Sequence, residues 1–171
     1  MRRPAPEGRG GAGIPSYGHE YQARLATPFA VLGIRTSGAR LSEIVYLPRG
    51  AATLAPQNLL AEKTCRQIER YLDDPQFRFE LPFEFAGSVF RRRVWQAICE
   101  IPPGGRLTYG DVARRLGSAP RAVGGACGAN RIPLVIPCHR VVASGGIGGF
   151  MQTRAGAPIQ IKQWLLQHEH V

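Results

Sequence analysis

Thr108-Tyr109-Gly110-Asp111-Val112-Ala113-Arg114-Arg115-Leu116-Gly117-Ser118-Ala119-Pro120-Arg121-Ala122-Val123-Gly124-Gly125-Ala126 reads as two short helices joined by a tight turn. The first starts at a T-x-x-D capping box, in which Thr108 and Asp111 satisfy each other's backbone N–H groups. Val112 and Leu116 form its apolar face, and Gly117 supplies the residue that closes it. Ser118 is placed to cap a second helix running from about Pro120 to Gly128. This pairing is the signature of a helix-turn-helix, with the second helix as the recognition helix. Gly124-Gly125 inside that helix costs about 1 kcal/mol of propensity per glycine. Close helix packing would explain the pair, and so would close approach to a DNA backbone or groove; the charge around it favours DNA.

That charge is concentrated. The chain has 171 residues, with 22 Lys plus Arg against 12 Asp plus Glu, a net charge of +10 and a pI near 10.3. Only Lys63 and Lys162 are lysines. Residues 83–151 hold nine cations and three acids, net +6, whereas 19–82 hold eight and seven, net +1. A basic block fits a polyanionic partner, most often nucleic acid, although a codon bias toward arginine gives the same composition. Apolar residues at 44% and charged ones at 20% describe a folding chain, not a disordered one. No apolar run approaches the roughly 18 residues that span a bilayer, so no membrane partner is expected.

Downstream of Asn130, the run Ile132-Pro133-Leu134-Val135-Ile136-Pro137 predicts a buried strand that delivers Cys138 into a turn. A thiolate is the reactive form of cysteine, and a neighbouring His or Arg favours it. In a strand, neighbouring side chains point to opposite faces, so Cys138 and His139 couple only if the backbone turns there. Taken alone, such a pair is more often structural. The other cysteines, Cys65, Cys99 and Cys127, form no CxxC or zinc-finger spacing. No secretory apolar region follows Met1, so free thiols in a reducing cytoplasm are expected, with no metal and no cofactor.

Upstream, Ser88 caps a helix carrying Phe90, Val94, Trp95 and Ile98, closed by Pro102-Pro103-Gly104-Gly105. Residues 58–72 place Ala61, Cys65, Ile68 and Leu72 on one helical face. Apolar runs at 28–36 and 41–47 flank Ser37-Gly38 and predict a hairpin. Residues 1–18, with five Gly and three Pro, read as a flexible tail, and His19 beside it as a surface residue. The expected class is therefore α/β (α+β). A small sheet-plus-helix domain at 19–82 precedes a mostly helical, winged-helix-like domain with helix-turn-helix at 83–171.

Several motifs share one further property. Arg93-Val94-Trp95-Gln96-Ala97, Thr108-Tyr109-Gly110, Arg121-Ala122-Val123-Gly124-Gly125-Ala126, Asn130, Pro137-Cys138-His139-Arg140-Val141 and Trp164-Leu165-Leu166-Gln167-His168-Glu169 stand in the order of one family. From about Phe83 to Glu169 the chain resembles the O6-alkylguanine-DNA alkyltransferases, the methylated-DNA–protein-cysteine methyltransferases. The resemblance implies direct repair of DNA, with stoichiometric and irreversible transfer of an alkyl group from O6-alkylguanine, or O4-alkylthymine, to Cys138. It implies that His139 acts through a water as the base, that Glu169 orients His139, and that Tyr109 donates a proton as guanine leaves. Asn130 would support the cysteine loop. Arg121 would take the place of the extruded nucleotide, with Ala122, Gly124, Gly125 and Thr108 beside it on DNA. Val141, Phe150 and Met151 would border the substrate pocket, and the Cys138 and Val141 carbonyls would read the guanine amine.

The chain departs from the family at the loop 143–150, which is about one residue short. Phe150 stands where Tyr is common, and Met151-Gln152-Thr153-Arg154 replaces a glycine-rich continuation. Some members hold a zinc ion near the N-terminus, but no cysteine precedes Cys65 here, so none is expected. Double-stranded DNA carrying alkylated bases is the expected partner of a monomer. Two other classes compete: a non-catalytic winged-helix DNA-binding protein for damage sensing or regulation, and a Cys-His hydrolase or acyltransferase acting on a small molecule.

Overall fold

Strands β1 (Ala23–Ala26), β2 (Val31–Ser37) and β3 (Arg40–Leu47) form an antiparallel sheet in that order, in a computed structural model that describes residues 21–170. The tail expected at 1–18 and His19 lie outside the described residues. The hairpin of β2 and β3 is the one expected, turning at Gly38 with φ of 57°. It begins at Val31 and not at residue 28, because Thr27 first closes a turn. The Thr27 N–H and hydroxyl both donate to the Ala30 carbonyl, at 2.9 and 2.7 Å. The sequence reading does not foresee β1, whose four residues, with Arg24 among them, are too few to show alternation.

Helix α1 (Leu59–Asp73) packs on this sheet, and the Asn58 side chain caps it by accepting from the Ala61 N–H at 2.8 Å. Ala61, Cys65 and Ile68 are buried as the periodicity predicts, but Tyr71, not Leu72, completes the buried stripe. Burial pushes the Cys65 thiol up to about 11, which marks it as packing. The outer edge of β3 is not left open. The Leu41 N–H donates to Pro82 O at 2.8 Å, and the Ile44 N–H to Arg131 O at 2.9 Å. The two halves of the chain therefore share both backbone bonds and one apolar core.

The second half is built around α2 (Val89–Cys99), capped by Ser88, with Val94, Trp95 and Ile98 buried. Trp95 Nε1 donates to Ala126 O at 2.9 Å, which fastens α2 to the recognition helix and satisfies the buried indole. Strand β4 (Leu107–Thr108) pairs in parallel with β5 (Val141–Val142), and α3 (Tyr109–Leu116) starts directly from β4. Its capping box is complete. The Thr108 N–H donates to Asp111 Oδ2 at 2.8 Å, and the Asp111 N–H to Thr108 Oγ1 at 3.0 Å. Gly117 closes α3 with φ of 62°.

Helix α4 (Pro120–Gly128) follows, and here one expectation is corrected: Ser118 is not its cap. The Ser118 N–H is spent on Ala113 O at 2.9 Å to close α3. Helix α4 therefore starts from Ala119, with Pro120 pre-set in its first turn. Residues 132–137 do not form the expected strand either. Pro133 and Pro137 cannot donate to a ladder. Instead the chain turns at Leu134, whose φ is 73°, and the Ile136 N–H bonds to Ile132 O at 3.0 Å. A 3-10 turn at Cys138–Arg140 comes next, and α5 (Ala157–His168) then carries the chain to Glu169.

Candidate active site

The 3-10 turn sends consecutive side chains in different directions around one tight loop. Cys138, His139 and Arg140 are all buried, although two of them are polar. The turn is held from the segment just after α4. Asn130 donates to Ile136 O at 2.9 Å and contacts Cys138 Sγ at 3.2 Å, while its own carbonyl accepts from the Ile132 N–H at 2.9 Å. Burial raises the Cys138 pKa, and the Asn130 bond and then the Lys162 charge oppose that rise.

Behind the turn lies Glu169, which is 2% exposed and accepts five hydrogen bonds. Its Oε1 accepts from Tyr71 OH at 2.8 Å, from His139 Nε2 at 2.8 Å and from Arg140 Nη2 at 2.9 Å. Its Oε2 accepts from Arg140 Nε at 3.0 Å and from the Gly104 N–H at 3.4 Å. Burial alone would raise this carboxyl's pKa; the bonds from His139 and Arg140 outweigh it and hold the carboxyl well below the usual range. An ionised carboxylate only accepts, so His139 presents Nε2–H to Glu169 and leaves Nδ1 as a bare lone pair. Nδ1 is buried and has no partner among the described residues. Burial lowers the His139 pKa despite Glu169, which keeps the ring neutral near pH 7 and able to accept a proton.

In front of Cys138 a cavity of about 600 Å³ opens to the surface. Tyr109, Arg121, Gly124 and Cys127 line it from α3 and α4, and Phe150, Met151 and Gln152 line it from the loop opposite. The Tyr109 hydroxyl donates to Gly149 O at 3.2 Å, and burial pushes its pKa up to about 12. Gly124 faces Tyr109: a Cβ there would lie 4.0 Å from the ring, while a Cβ at Gly125 would meet nothing within 4 Å. Close helix packing therefore does not explain the glycine pair. Arg121 and Ala122 are exposed, and Val123 and Ala126 form the buried face of α4. Thr108 is half-buried and engaged in its capping box.

The structure brings together Cys138, Tyr109, Asn130, Arg121, Gly124, Phe150 and Met151 at this cavity or its floor, with His139 and Glu169 behind it. Val141 is different. Its side chain is buried and does not line the cavity, and its carbonyl accepts from Lys162 Nζ at 2.7 Å.

Four residues escape the sequence reading. Lys162 is fully buried; Nζ donates to Val141 O and to Gly149 O, at 2.7 and 2.8 Å, and lies 3.5 Å from the Tyr109 hydroxyl. Burial brings its pKa down to about 8. A lysine next to Ile161 and one turn from Leu165 and Leu166 was the available signal. Arg140 and Tyr71 cradle Glu169, and no local pattern marks either. Gln152 sits with Met151 in a two-residue turn where both have positive φ. Phe150 and Thr153 exchange backbone bonds across that turn, and Gln152 Nε2 donates to Gly128 O at 3.1 Å. This ties the pocket loop to the end of α4.

Comparison with known proteins shows the family and the fold. A family model described as 6-O-methylguanine DNA methyltransferase, DNA binding domain, matches residues 89–171. The inducible methylated-DNA–protein-cysteine methyltransferase of Bacillus subtilis is 43% identical over 122 residues, covering 67% of this chain and 68% of that protein. The Archaeoglobus fulgidus methyltransferase is 42% identical over 85 residues, 50% of this chain and 58% of its own length. The chain thus spans little more than half of that relative. The structure of Mycobacterium tuberculosis OGT in complex with DNA superposes with a TM-score of 0.71 at 30% identity, covering 86% of this chain and 91% of that one. With a relative matched over two thirds of its length and a fold shared over 86% of this chain, the chain belongs to the methylated-DNA–protein-cysteine methyltransferase family.

Proposed function

We propose that this chain repairs duplex DNA by moving an alkyl group from guanine O6 to Cys138. The observation that supports it most is the cavity: it opens beside Arg121 and Gly124 on the recognition helix and ends at the Cys138 thiol. A thiolate cannot reach O6 inside a paired stack, so the base has to turn out of the duplex. Arg121, exposed at the cavity mouth, fills the gap it leaves. Ala122, Gly124 and Gly125 let the backbone come close, and Thr108 holds the start of α3 against the groove.

His139 takes the Cys138 proton through a bridging water, with Glu169 fixing its tautomer and stabilising the charge that forms. The sulfur then attacks the alkyl carbon: a C–S bond forms, the C–O6 bond breaks, and guanine leaves as it gains a proton by way of Tyr109. Asn130 keeps the sulfur in line. Phe150 and Met151 wall the alkyl group, while Val141 contributes its carbonyl and not its side chain. The thioether is not hydrolysed under mild conditions, so each chain acts once.

In this reading the segment 83–171 binds and reacts, and 19–82 braces it. The protein works as a monomer in the reducing cytoplasm, with no cofactor. Among the described residues, no helix is long and apolar enough to cross a membrane.

The test is intact-mass measurement after incubation with a duplex containing O6-methylguanine. One methyl gained per chain, mapped to Cys138, is the expected result; tight DNA binding with no mass gain would establish the binding-module reading instead. Arg121→Ala should slow repair of duplex DNA at least tenfold, yet leave the reaction with free O6-benzylguanine nearly unchanged. Equal losses on both would remove Arg121 from base extrusion. DNA affinity should fall steeply with salt, since each neutralised phosphate releases counterions, and a flat response would contradict the basic face.

A further inference from the structure

The cavity holds a second thiol. Cys127, in the last turn of α4, lines the cavity in front of Cys138 and also a smaller neighbouring one walled by β3, and Cys138 borders both. The two are linked through a single residue: the Asn130 N–H bonds to Cys127 O at 3.2 Å while its side chain contacts Cys138 Sγ at 3.2 Å. Asn130 therefore holds the sulfur against the same helix end that carries Cys127. All four cysteines are free thiols, but Cys65 lies in α1 and Cys99 lines a separate cavity at the end of α2. The alkyl-transfer scheme gives Cys127 no task.

We propose that Cys127 is the resolving thiol of Cys138, making the acceptor site a reversible dithiol–disulfide pair. A hydroperoxide is the co-reactant. The Cys138 thiolate attacks its terminal oxygen, the O–O bond breaks, and the alkoxide leaves and takes a proton as alcohol. Cys138 becomes a sulfenic acid. Cys127 then attacks Cys138 Sγ: an S–S bond forms, the S–O bond breaks, and hydroxide leaves with the Cys127 proton as water. Two sulfurs are oxidised by one peroxide. A dithiol reductant reverses the step by exchange. Without a resolving thiol the sulfenic acid meets further peroxide and climbs to sulfinic and sulfonic acids, which do not return.

The reduced protein keeps the two sulfurs in different roles. Burial, and then the nearness of Cys138, push the Cys127 pKa up, so Cys127 stays protonated and does not compete for the alkyl group. The tight turn at Cys138–Arg140 and the chain end of α4 are the parts that adjust to bring the sulfurs to bonding distance, since a disulfide needs its Cβ atoms about 3.5–4.5 Å apart.

The test uses the whole chain and needs no DNA. Reduced protein is treated with a several-fold excess of hydroperoxide, quenched, and measured by intact mass and by tryptic mapping. Trypsin cleaves after Arg131, between the two cysteines, so a bridge appears as one linked peptide pair. The expected product has lost two hydrogens, with Cys127 joined to Cys138, and accepts no methyl group until dithiothreitol restores it. Cys127→Ser and Cys127→Ala should both fail to lose two hydrogens and should instead gain oxygen on Cys138, which dithiothreitol does not fully reverse. Wild-type protein that gains oxygen on Cys138 without any linked pair would overturn the proposal, as would a two-hydrogen loss that persists in both Cys127 variants. The readout is independent of alkyl transfer, so a failure of the repair reading would show separately, as no methyl gain by the fully reduced protein.

Discussion

Replacing Glu169 with Gln should lower stability by about 3–5 kcal/mol and nearly abolish alkyl transfer. The carboxylate stands between two buried partners, a guanidinium that grips both its oxygens and an imidazole. Gln keeps the shape and loses the charge, which leaves Arg140 as a buried cation without a counter-ion. Breaking a buried pair from one side costs on that scale. For a chain of this size the melting temperature should drop on the order of 10 °C. The chemistry suffers separately, because Glu169 is what raises the proton affinity of a ring whose burial lowers it. A variant that melts and reacts like wild type would dismantle the cluster described here.

The same cluster sets a pH profile. Glu169 has a folded pKa below its unfolded value, so its contribution is complete above the unfolded carboxylate pKa of about 4.3 and is lost as pH falls below it. His139 is also depressed when folded, so its contribution is complete above about pH 6.5 and declines as pH falls through that value. The wild-type melting temperature should fall in two stages on acidification, the imidazole first. Glu169→Gln should remove the lower stage, and a single shared profile for both proteins would refute the assignment.

Lys162→Met should cut the rate of alkyl transfer roughly 10–100-fold. The ammonium donates to two carbonyls, one from β5 and one from the pocket loop, and methionine leaves both without that donor. Gly149 O keeps the Tyr109 hydroxyl as a donor, but a lost hydrogen bond of this kind still costs about 1–3 kcal/mol, so the loop that carries Phe150 loosens. The Lys162 charge is also one of the influences that lower the Cys138 pKa. Each unit of pKa regained by the thiol removes about tenfold of its thiolate near neutral pH. Because the Lys162 pKa sits at about 8, the wild-type rate should stop rising with pH once that proton leaves. Lys162→Met should instead keep rising into the alkaline range as the thiol ionises unaided. Matching pH–rate curves for the two would show that Lys162 only packs.

Local signals carried much of this structure, and the places where they fell short have physical causes. The capping box at Thr108 and Asp111 and the glycine at 117 state a helix and its end within ten residues, and the structure agrees. Ser118 misled because a serine cap and a backbone donor closing the previous helix look alike in sequence. The run 132–137 misled because apolar composition says buried, while two prolines and a left-handed Leu134 make it a turn. Tyr109, Arg121, Asn130, Cys138, His139 and Glu169, at the cavity or behind it, were legible through resemblance, not spacing, since they come from five different segments. Lys162, Arg140 and Tyr71 are defined by whom they meet across the fold, and no window of sequence contains that information.

Tyr71 and Glu169 are separated by 98 positions along the chain, yet their side chains bond directly. Contacts of such separation are closed late, because the entropy of a long loop has to be overcome before they return anything. The helix-turn-helix is local and should form early, whereas the cradle of Glu169 needs α1 to meet the end of α5. On the proposed mechanism, folding should therefore assemble the helix-turn-helix before the cradle that supports His139 as base. A brief opening of α1 in the native protein would disarm that base while leaving the grip intact, and amide exchange in α1 should track loss of reactivity more closely than exchange in α4.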